Sequence, residues 1–193
     1  MQQVLIVSSI LLWVLVLFNM LLTLALVRRV NPSNQNKLEK LALGSPMPNF
    51  SAVTLDGTTK SAIDYVDSIV AFVFISSQCN PCRDEIPNLE ALGPKAKAAG
   101  IDLVLVSIEN IEQTRILVDE LDITLPVLIA PRGENSFADD YKIKGTPIYC
   151  MVKEGAIYSM GLMDKEWETI TNEWEVVSKA KGAATLLTLA TSD

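Results

Sequence analysis

The stretch Cys79-Asn80-Pro81-Cys82 decides the fold of this chain, because it directly follows the apolar run Ile69-Val70-Ala71-Phe72-Val73-Phe74-Ile75, with only three residues between them. A buried strand that leads into two cysteines at the start of a helix is typical of thiol–disulfide exchange. The first cysteine then lies at the helix N-terminus, where free N–H groups and the helix dipole favour the thiolate. We predict that Cys79 is the exposed nucleophile and that Cys82 resolves the mixed disulfide.

The same cysteine pair is less well explained as half of a zinc site. A structural zinc site needs four ligands, and the chain has three cysteines and no histidine. The absence of histidine also excludes Ser-His and Cys-His nucleophile systems. We therefore expect no metal, and no cofactor other than the redox-active disulfide itself. We interpret the third cysteine, Cys150, as a buried core thiol, with a third redox-active thiol as the alternative.

Strand and helix patterns alternate along the chain after residue 50. The turn signal Leu55-Asp56-Gly57 separates two short strands. The order of the later patterns is strand–helix–strand, followed by a hairpin and a helix, which implies a mixed sheet with helices on both faces. We predict an α/β sandwich of the thioredoxin-like type. Strands are predicted at 69–75, 103–106, 126–129, 148–152 and 156–160, and helices at 81–99, 110–121 and from 164 onward.

A second signal, Gly145-Thr146-Pro147, lies directly before the strand predicted at 148–152. Taken alone, such a proline is explained as the start of an edge strand. In a thioredoxin-like fold it is instead a cis-proline that lies beside the cysteines, a rare and specific backbone feature. The backbone of Thr146 would then hydrogen-bond an extended substrate chain, in the manner of strand addition.

Charged residues follow the cysteines directly. Arg83 is a candidate for lowering the pKa of the thiol, and Glu85 is a candidate for moving a proton. The alternative for both side chains is ordinary solvated surface.

The N-terminal segment, residues 4–27, is apolar and uncharged. As a helix it would span roughly 36 Å, enough to cross a bilayer. A cleaved signal peptide fits poorly, because no basic residue precedes the apolar run, the run is too long, and no small-x-small cleavage site follows. We predict an uncleaved transmembrane anchor at 4–27, a juxtamembrane linker at 28–43, a thioredoxin-like domain at 44–181 and a C-terminal tail at 182–193.

All charged side chains lie after the anchor, so the net charge of −7 belongs to the rest of the chain. An acidic domain is a poor binder of nucleic acid. The partners that we expect are protein thiols and disulfides and a membrane electron-transfer protein, with no nucleic acid.

Taken together, these motifs resemble the membrane-anchored thioredoxin-like disulfide reductases of cytochrome c maturation and their relatives. The resemblance implies that Cys79 and Cys82 form the redox pair and that Pro147 is the cis-proline, preceded by Thr146. It covers roughly 44–174 and depends on these stretches: Gly44-Ser45-Pro46-Met47-Pro48-Asn49-Phe50, Leu55-Asp56-Gly57, Cys79-Asn80-Pro81-Cys82, Pro87, Leu125-Pro126-Val127-Leu128 and Tyr141-Lys142-Ile143-Lys144-Gly145-Thr146-Pro147.

One branch of these proteins, the accessory thioredoxin-like protein of methylamine utilisation, is similar in a further respect. Its anchor also runs directly into a basic pair, which here is Arg28-Arg29. That branch implies a role in the maturation of a disulfide-rich extracytoplasmic protein.

The chain also departs from these relatives. Ser76-Ser77-Gln78 replaces the Trp-rich segment that is common before the first cysteine, and no residue matches the buried acid of better-known thioredoxins. Ser76 is similar to the residue three positions before the peroxiredoxin cysteine, but Phe72 stands where that pattern needs a proline. Peroxide reduction is therefore the second hypothesis, and an anchored docking module with incidental cysteines is the third.

Two arguments about the membrane side conflict. Basic residues follow the anchor and none precedes it, which favours a cytoplasmic domain: Arg28, Arg29, Lys37 and Lys40. The resemblance and the compartment in which proteins acquire disulfides favour the extracytoplasmic side. We predict a single-pass protein of the cytoplasmic (inner) membrane with an extracytoplasmic redox domain. Proteins with one thioredoxin-like fold differ by about 150 mV in potential, so the sequence leaves the direction of electron transfer open.

Overall fold

A computed structural model describes residues 2–30, 41–174 and 176 as two separate units, an N-terminal helix and an α/β domain. The helix, α1, comprises Gln2–Val30, and its window Ile6–Thr23 has a mean hydropathy of 2.4. By length and composition α1 is able to cross a membrane. The linker positions 31–40 and the tail at 182–193 lie outside the described residues, so the domain boundaries given above stay predictions.

The α/β domain follows the predicted alternation of strands and helices. A 3-10 helix, Ala62–Tyr65, follows the second strand. The strands are β1 (Ser51–Thr54), β2 (Thr59–Ser61), β3 (Ile69–Ile75), β4 (Ile101–Ser107), β5 (Val127–Ile129), β6 (Ile148–Lys153) and β7 (Ala156–Leu162). The helices are α2 (Asn80–Ala99), α3 (Ile111–Glu120), the short α4 (Phe137–Asp140) and α5 (165–174).

The seven strands form one sheet in the order β2-β1-β5-β4-β3-β6-β7. β3, β4 and β5 are parallel, whereas β1, β2, β6 and β7 each pair antiparallel with their neighbours. The predicted mixed sheet is therefore confirmed. β3 lies inside this sheet and is an uninterrupted apolar strand, because β4 and β6 flank its edges and both of its faces are covered.

Alternate residues of β3 face two different cores. Ala71, Val73 and Ile75 face the core that includes α2 and α5, where the rings of Trp167 and Trp174 pack 5.4 Å apart at nearly a right angle. Both tryptophans are therefore core residues.

The opposite face of β3 contributes to an aromatic cluster. Phe137 of α4 stacks on Phe50, with ring centroids 3.8 Å apart and planes 5° from parallel. Phe72 and Phe74 both meet Phe137 edge-on. The short helix α4 therefore covers this face through a fully buried ring rather than through its length.

This aromatic packing makes a prediction about stability. Phe137→Ala removes a fully buried ring with four aromatic neighbours, so unfolding should become easier by about 3–5 kcal/mol. Urea denaturation of the full chain in detergent, monitored by circular dichroism, measures the change in the free energy of unfolding. Ile63→Ala is the control, because Ile63 is 79% exposed and its truncation should shift stability by less than about 0.5 kcal/mol. Equal losses in the two variants would contradict this view of the core.

Candidate functional site

The site lies where three strand ends meet at one edge of the sheet. β3 and β4 are parallel, and Ile75 lies opposite Ser107 at their carboxyl ends. β6 is antiparallel to β3, and Phe74 lies opposite Ile148, so the residue before Ile148 lies beside the end of β3. The segments that follow β3 and β4 and the one that precedes β6 therefore come together.

Cys79 and Cys82 form a disulfide at the start of α2, with their Cα atoms 5.2 Å apart. Cys79 is the N-cap of α2, and the backbone N–H of Cys82 donates to the Cys79 Sγ at 3.2 Å. Pro81 fits the first turn of the helix, where no N–H donor is needed. Cys79 is half-buried, whereas Cys82 is fully buried. Cys79 is therefore the more accessible of the two cysteines.

Thr146 lies beside the Cys79 sulfur of the disulfide, and Pro147 follows it in the chain. The peptide bond between them is cis, as predicted. The carbonyl oxygen of Thr146 is 3.3 Å from the Cys79 Sγ. Thr146 and Pro147 are both half-exposed. The backbone just before β6 is thus accessible beside the outer sulfur.

Arg83 and Glu85 make their contacts away from the sulfurs. The Arg83 guanidinium forms an ion pair of 2.9 Å with Glu120 of α3. The Glu85 carboxylate accepts a hydrogen bond of 3.1 Å from the Asn88 side chain, one turn further along α2. Their proposed roles in tuning the pKa of the thiol stay predictions.

Glu109 is a site residue that the sequence analysis missed. It lies two residues after β4, and its carboxylate accepts from the Ser76 hydroxyl at 2.8 Å and from the Ser77 N–H at 2.9 Å. Partial burial acts to raise the pKa of the Glu109 carboxyl, but the hydrogen bonds from Ser77 and Ser76 outweigh it and leave the pKa below its ordinary value. Glu109 is therefore ionised at neutral pH, and its hydrogen bonds are lost only as the pH falls through that lowered pKa.

A signal for Glu109 was present in the sequence. β3 and β4 are consecutive strand patterns joined by a helical pattern, which favours parallel pairing of the two strands. The carboxyl ends of parallel neighbours lie at one sheet edge, so a carboxylate just after β4 is expected near the segment just after β3. The polar run Ser76-Ser77-Gln78 supplies the matching donors.

Cys150 takes no part in this arrangement. It lies in β6 opposite Phe72 and is fully buried as a free thiol. Burial raises the pKa of this thiol to about 12, so it stays protonated at neutral pH. The interpretation of Cys150 as a core cysteine is confirmed.

A model of the AhpC/TSA family matches residues 43–170. The thioredoxin-like protein YneN of Bacillus subtilis (strain 168) is 33% identical over 130 residues, which are 64% of this chain and 74% of YneN. The thiol-disulfide oxidoreductase ResA of Bacillus cereus (strain ATCC 10987 / NRS 248) is 29% identical over 100 residues, which are 51% of this chain and 58% of ResA. The match therefore spans little more than half the length of ResA.

Solved structures show the same architecture. The thioredoxin domain of a thiol-disulfide oxidoreductase from Bacteroides vulgatus superposes with a TM-score of 0.62 at 23% identity, covering 70% of this chain and 99% of that domain. A thiol:disulfide interchange protein from Bacteroides sp. superposes with a TM-score of 0.57 at 25% identity, covering 62% of this chain and 81% of that protein. These similarities confirm the thioredoxin-like fold.

The unequal burial of the sulfurs makes a prediction about their reactivity. In the reduced full chain, iodoacetamide should modify Cys79 well before Cys82 or Cys150, because only Cys79 combines access with an N–H donor to its sulfur. Mass spectrometry of the peptides, sampled over time, measures the order. In guanidinium chloride the three thiols should react at similar rates, which serves as the control. Equal or faster labelling of Cys82 in the folded protein would overturn the assigned roles.

Proposed function

The chain belongs to the AhpC/TSA family and is a thioredoxin-like thiol–disulfide oxidoreductase, and we propose that it acts on the disulfides of other proteins through Cys79 and Cys82. One observation carries the proposal: the sulfur of the half-buried Cys79 caps α2 and accepts the N–H of Cys82, while Cys82 is fully buried. This arrangement stabilises a thiolate at Cys79 and keeps the resolving thiol away from solvent.

The proposed reaction has two exchange steps. The Cys79 thiolate attacks one sulfur of a substrate disulfide, a mixed disulfide forms, and the other substrate sulfur leaves as a thiolate. The Cys82 thiolate then attacks the Cys79 sulfur and releases the second substrate thiolate. The substrate gains two electrons, and the Cys79–Cys82 pair becomes the disulfide. The same steps run in reverse when the oxidised pair oxidises a substrate dithiol. An external thiol partner reduces the pair again after it has reduced a substrate, and an external disulfide partner oxidises it again after it has oxidised one.

Substrate binding is proposed at Thr146 and Pro147. The Thr146 carbonyl oxygen lies 3.3 Å from the Cys79 sulfur. Thr146 and Pro147 are both half-exposed. An extended substrate segment that hydrogen-bonds the Thr146 backbone would run past the sulfur as an added strand does. This geometry brings the substrate disulfide to Cys79 with main-chain contacts that suit many sequences.

Peroxide reduction is less well supported than disulfide exchange. The similarity to peroxiredoxins depends on Ser76, whose hydroxyl would have to hydrogen-bond a peroxide beside Cys79. In this structure that hydroxyl donates to Glu109 at 2.8 Å, and Ser76 is 8% exposed. The Ser76 hydroxyl is thus already used within the protein.

We further propose that α1 tethers the redox domain to the cytoplasmic (inner) membrane and that the substrates are extracytoplasmic proteins undergoing maturation. The apolar helix and the anchored, cytochrome c maturation-like proteins that the sequence resembles support this role. A tether of this kind keeps the domain close to a membrane electron-transfer partner, which would supply or remove the two electrons of each exchange.

Trapping tests the proposed chemistry. Cys82→Ala leaves Cys79 able to attack but removes the resolving thiol, so mixed disulfides with partner proteins should accumulate. Non-reducing electrophoresis of the full chain from cells, followed by identification of the linked proteins, measures this.

The double variant Cys79→Ser, Cys82→Ala is the matched control and should capture nothing. Turnover of hydrogen peroxide by the wild-type protein with no protein disulfide present would favour the peroxidase hypothesis instead. Full cellular function of Cys79→Ser, Cys82→Ser would favour the docking module.

A membrane-impermeant maleimide tests the proposed side of the membrane. With the thiols reduced in intact spheroplasts, Cys79 should be labelled, because the proposed location exposes it outside the cytoplasm. Labelling only after lysis would place the domain in the cytoplasm, as the basic residues after the anchor suggest. A cytoplasmic protein with an exposed cysteine serves as the control for intact membranes.

A further inference from the structure

Glu109 binds the segment that delivers Cys79. We define the active-site loop as Ser76-Ser77-Gln78, the three residues between the end of β3 and Cys79. One oxygen of the Glu109 carboxylate accepts a hydrogen bond from the Ser76 hydroxyl at 2.8 Å, and the other accepts one from the Ser77 N–H at 2.9 Å. Both carboxylate oxygens are therefore committed to this loop.

Two further hydrogen bonds carry the restraint on to Cys79. The Gln78 N–H donates to the Ser76 hydroxyl oxygen at 3.2 Å, and the Cys79 N–H donates to the Ser76 carbonyl at 3.2 Å. Ser76 thus joins Glu109 on one side to Gln78 and Cys79 on the other. Its side chain is almost fully buried, so little water competes for these bonds.

Glu109 is itself firmly held. Its backbone N–H donates to the Ser107 hydroxyl oxygen at 3.4 Å, and the hydroxyls of Ser107 and Thr114, both fully buried, lie 2.7 Å apart. The Thr114 hydroxyl donates to the Asn110 carbonyl, and the Asn110 side chain caps α3. Glu109 therefore projects from a short connection that is pinned to the end of β4 and to the start of α3.

We propose that Glu109 is a positioning residue for Cys79, which fixes the active-site loop so that the Cys79 sulfur stays over the first N–H groups of α2. The proposal rests on the proposed function only in taking Cys79 as the reactive thiol. Glu109 touches the loop and not the reacting sulfur, so it acts through Ser76 and Ser77. The loop has no aromatic side chain that could fix it by packing, so the carboxylate holds it through hydrogen bonds.

The negative charge of Glu109 has an electrostatic effect on Cys79 that is opposite to the effect of positioning. A carboxylate close to Cys79 disfavours the thiolate, so removing the charge alone should lower the pKa of Cys79 and make it more reactive at neutral pH. Loss of positioning should instead weaken the Cys82 N–H contact to the Cys79 sulfur, raise the pKa of Cys79 and make it less reactive. The two explanations therefore predict changes of opposite sign.

The experiment measures alkylation of Cys79 by iodoacetamide across pH in the reduced full chain in detergent. Glu109→Gln removes the charge, Glu109→Asp keeps the charge on a shorter side chain, and Glu112→Gln removes an exposed carboxylate from the first turn of α3 as a control. We expect Glu109→Gln and Glu109→Asp to react about fivefold more slowly at pH 7, the factor that corresponds to one ordinary hydrogen bond. Glu112→Gln should react as the wild type does.

Other outcomes would overturn the proposal. A faster reaction in Glu109→Gln with a wild-type rate in Glu109→Asp would show that the charge acts alone. A lower urea midpoint with an unchanged alkylation profile would show a purely structural role. If Glu109→Gln does not fold, Glu109→Asp alone decides, because only a positional role predicts slowing when the charge is retained.

A double variant tests the route through Ser76. Ser76→Ala should slow alkylation on its own, and Ser76→Ala combined with Glu109→Asp should be no slower than the worse single variant, since both changes break one network. Additive losses would contradict this route. Failure of Cys82→Ala to trap substrates, with the Glu109 effect intact, would count against the proposed function and leave the positioning role standing.

Discussion

The burial of β3 between β4 and β6 is the constraint on which the rest of the domain depends. Residues Val70–Ile75 are at most 1% exposed, so this strand cannot slip or turn without exposing apolar side chains on both faces. Its register aligns Ile75 with Ser107 on one side and Phe74 with Ile148 on the other. The chemistry at the sheet edge is therefore built from three segments that are remote in sequence and whose positions follow from one packed strand.

Two backbone groups lie against the reactive sulfur. The Cys79 Sγ accepts the N–H of Cys82 and lies 3.3 Å from the carbonyl of Thr146. Arg83, the nearest cation in sequence, is paired with Glu120. Because these backbone groups are fixed by α2 and β6, the reactivity of Cys79 depends on the accuracy of the fold, and small movements of the active-site loop become chemically significant.

Features that arise within a short stretch of chain were predictable, whereas those that depend on long-range pairing were not. The cis bond before Pro147 was predictable only given a thioredoxin-like fold, because the local sequence alone favours the start of an edge strand. The capped cysteine at the start of α2 and the hairpin of β6 and β7 each follow from a local pattern. The place of β1 beside β5 does not, because it depends on a short antiparallel pairing, Val53 with Ile129 and Thr54 with Leu128. α4 was missed because four residues carry no helical periodicity, and its position depends on one buried ring, Phe137.

Glu109 shows the same division at the site itself. As a single acid in a polar connection it is ordinary surface by composition, and only the pairing of β3 with β4 gives it partners. No aromatic residue stands between the end of β3 and Cys79, and hydroxyl and amide donors stand there instead. An apolar segment would be fixed by packing, but Ser76 and Ser77 need an acceptor when they are partly buried, since an unmet donor costs about 1–3 kcal/mol. One carboxylate accepts hydrogen bonds from both donors. The polar loop and the acid two residues after β4 therefore depend on each other.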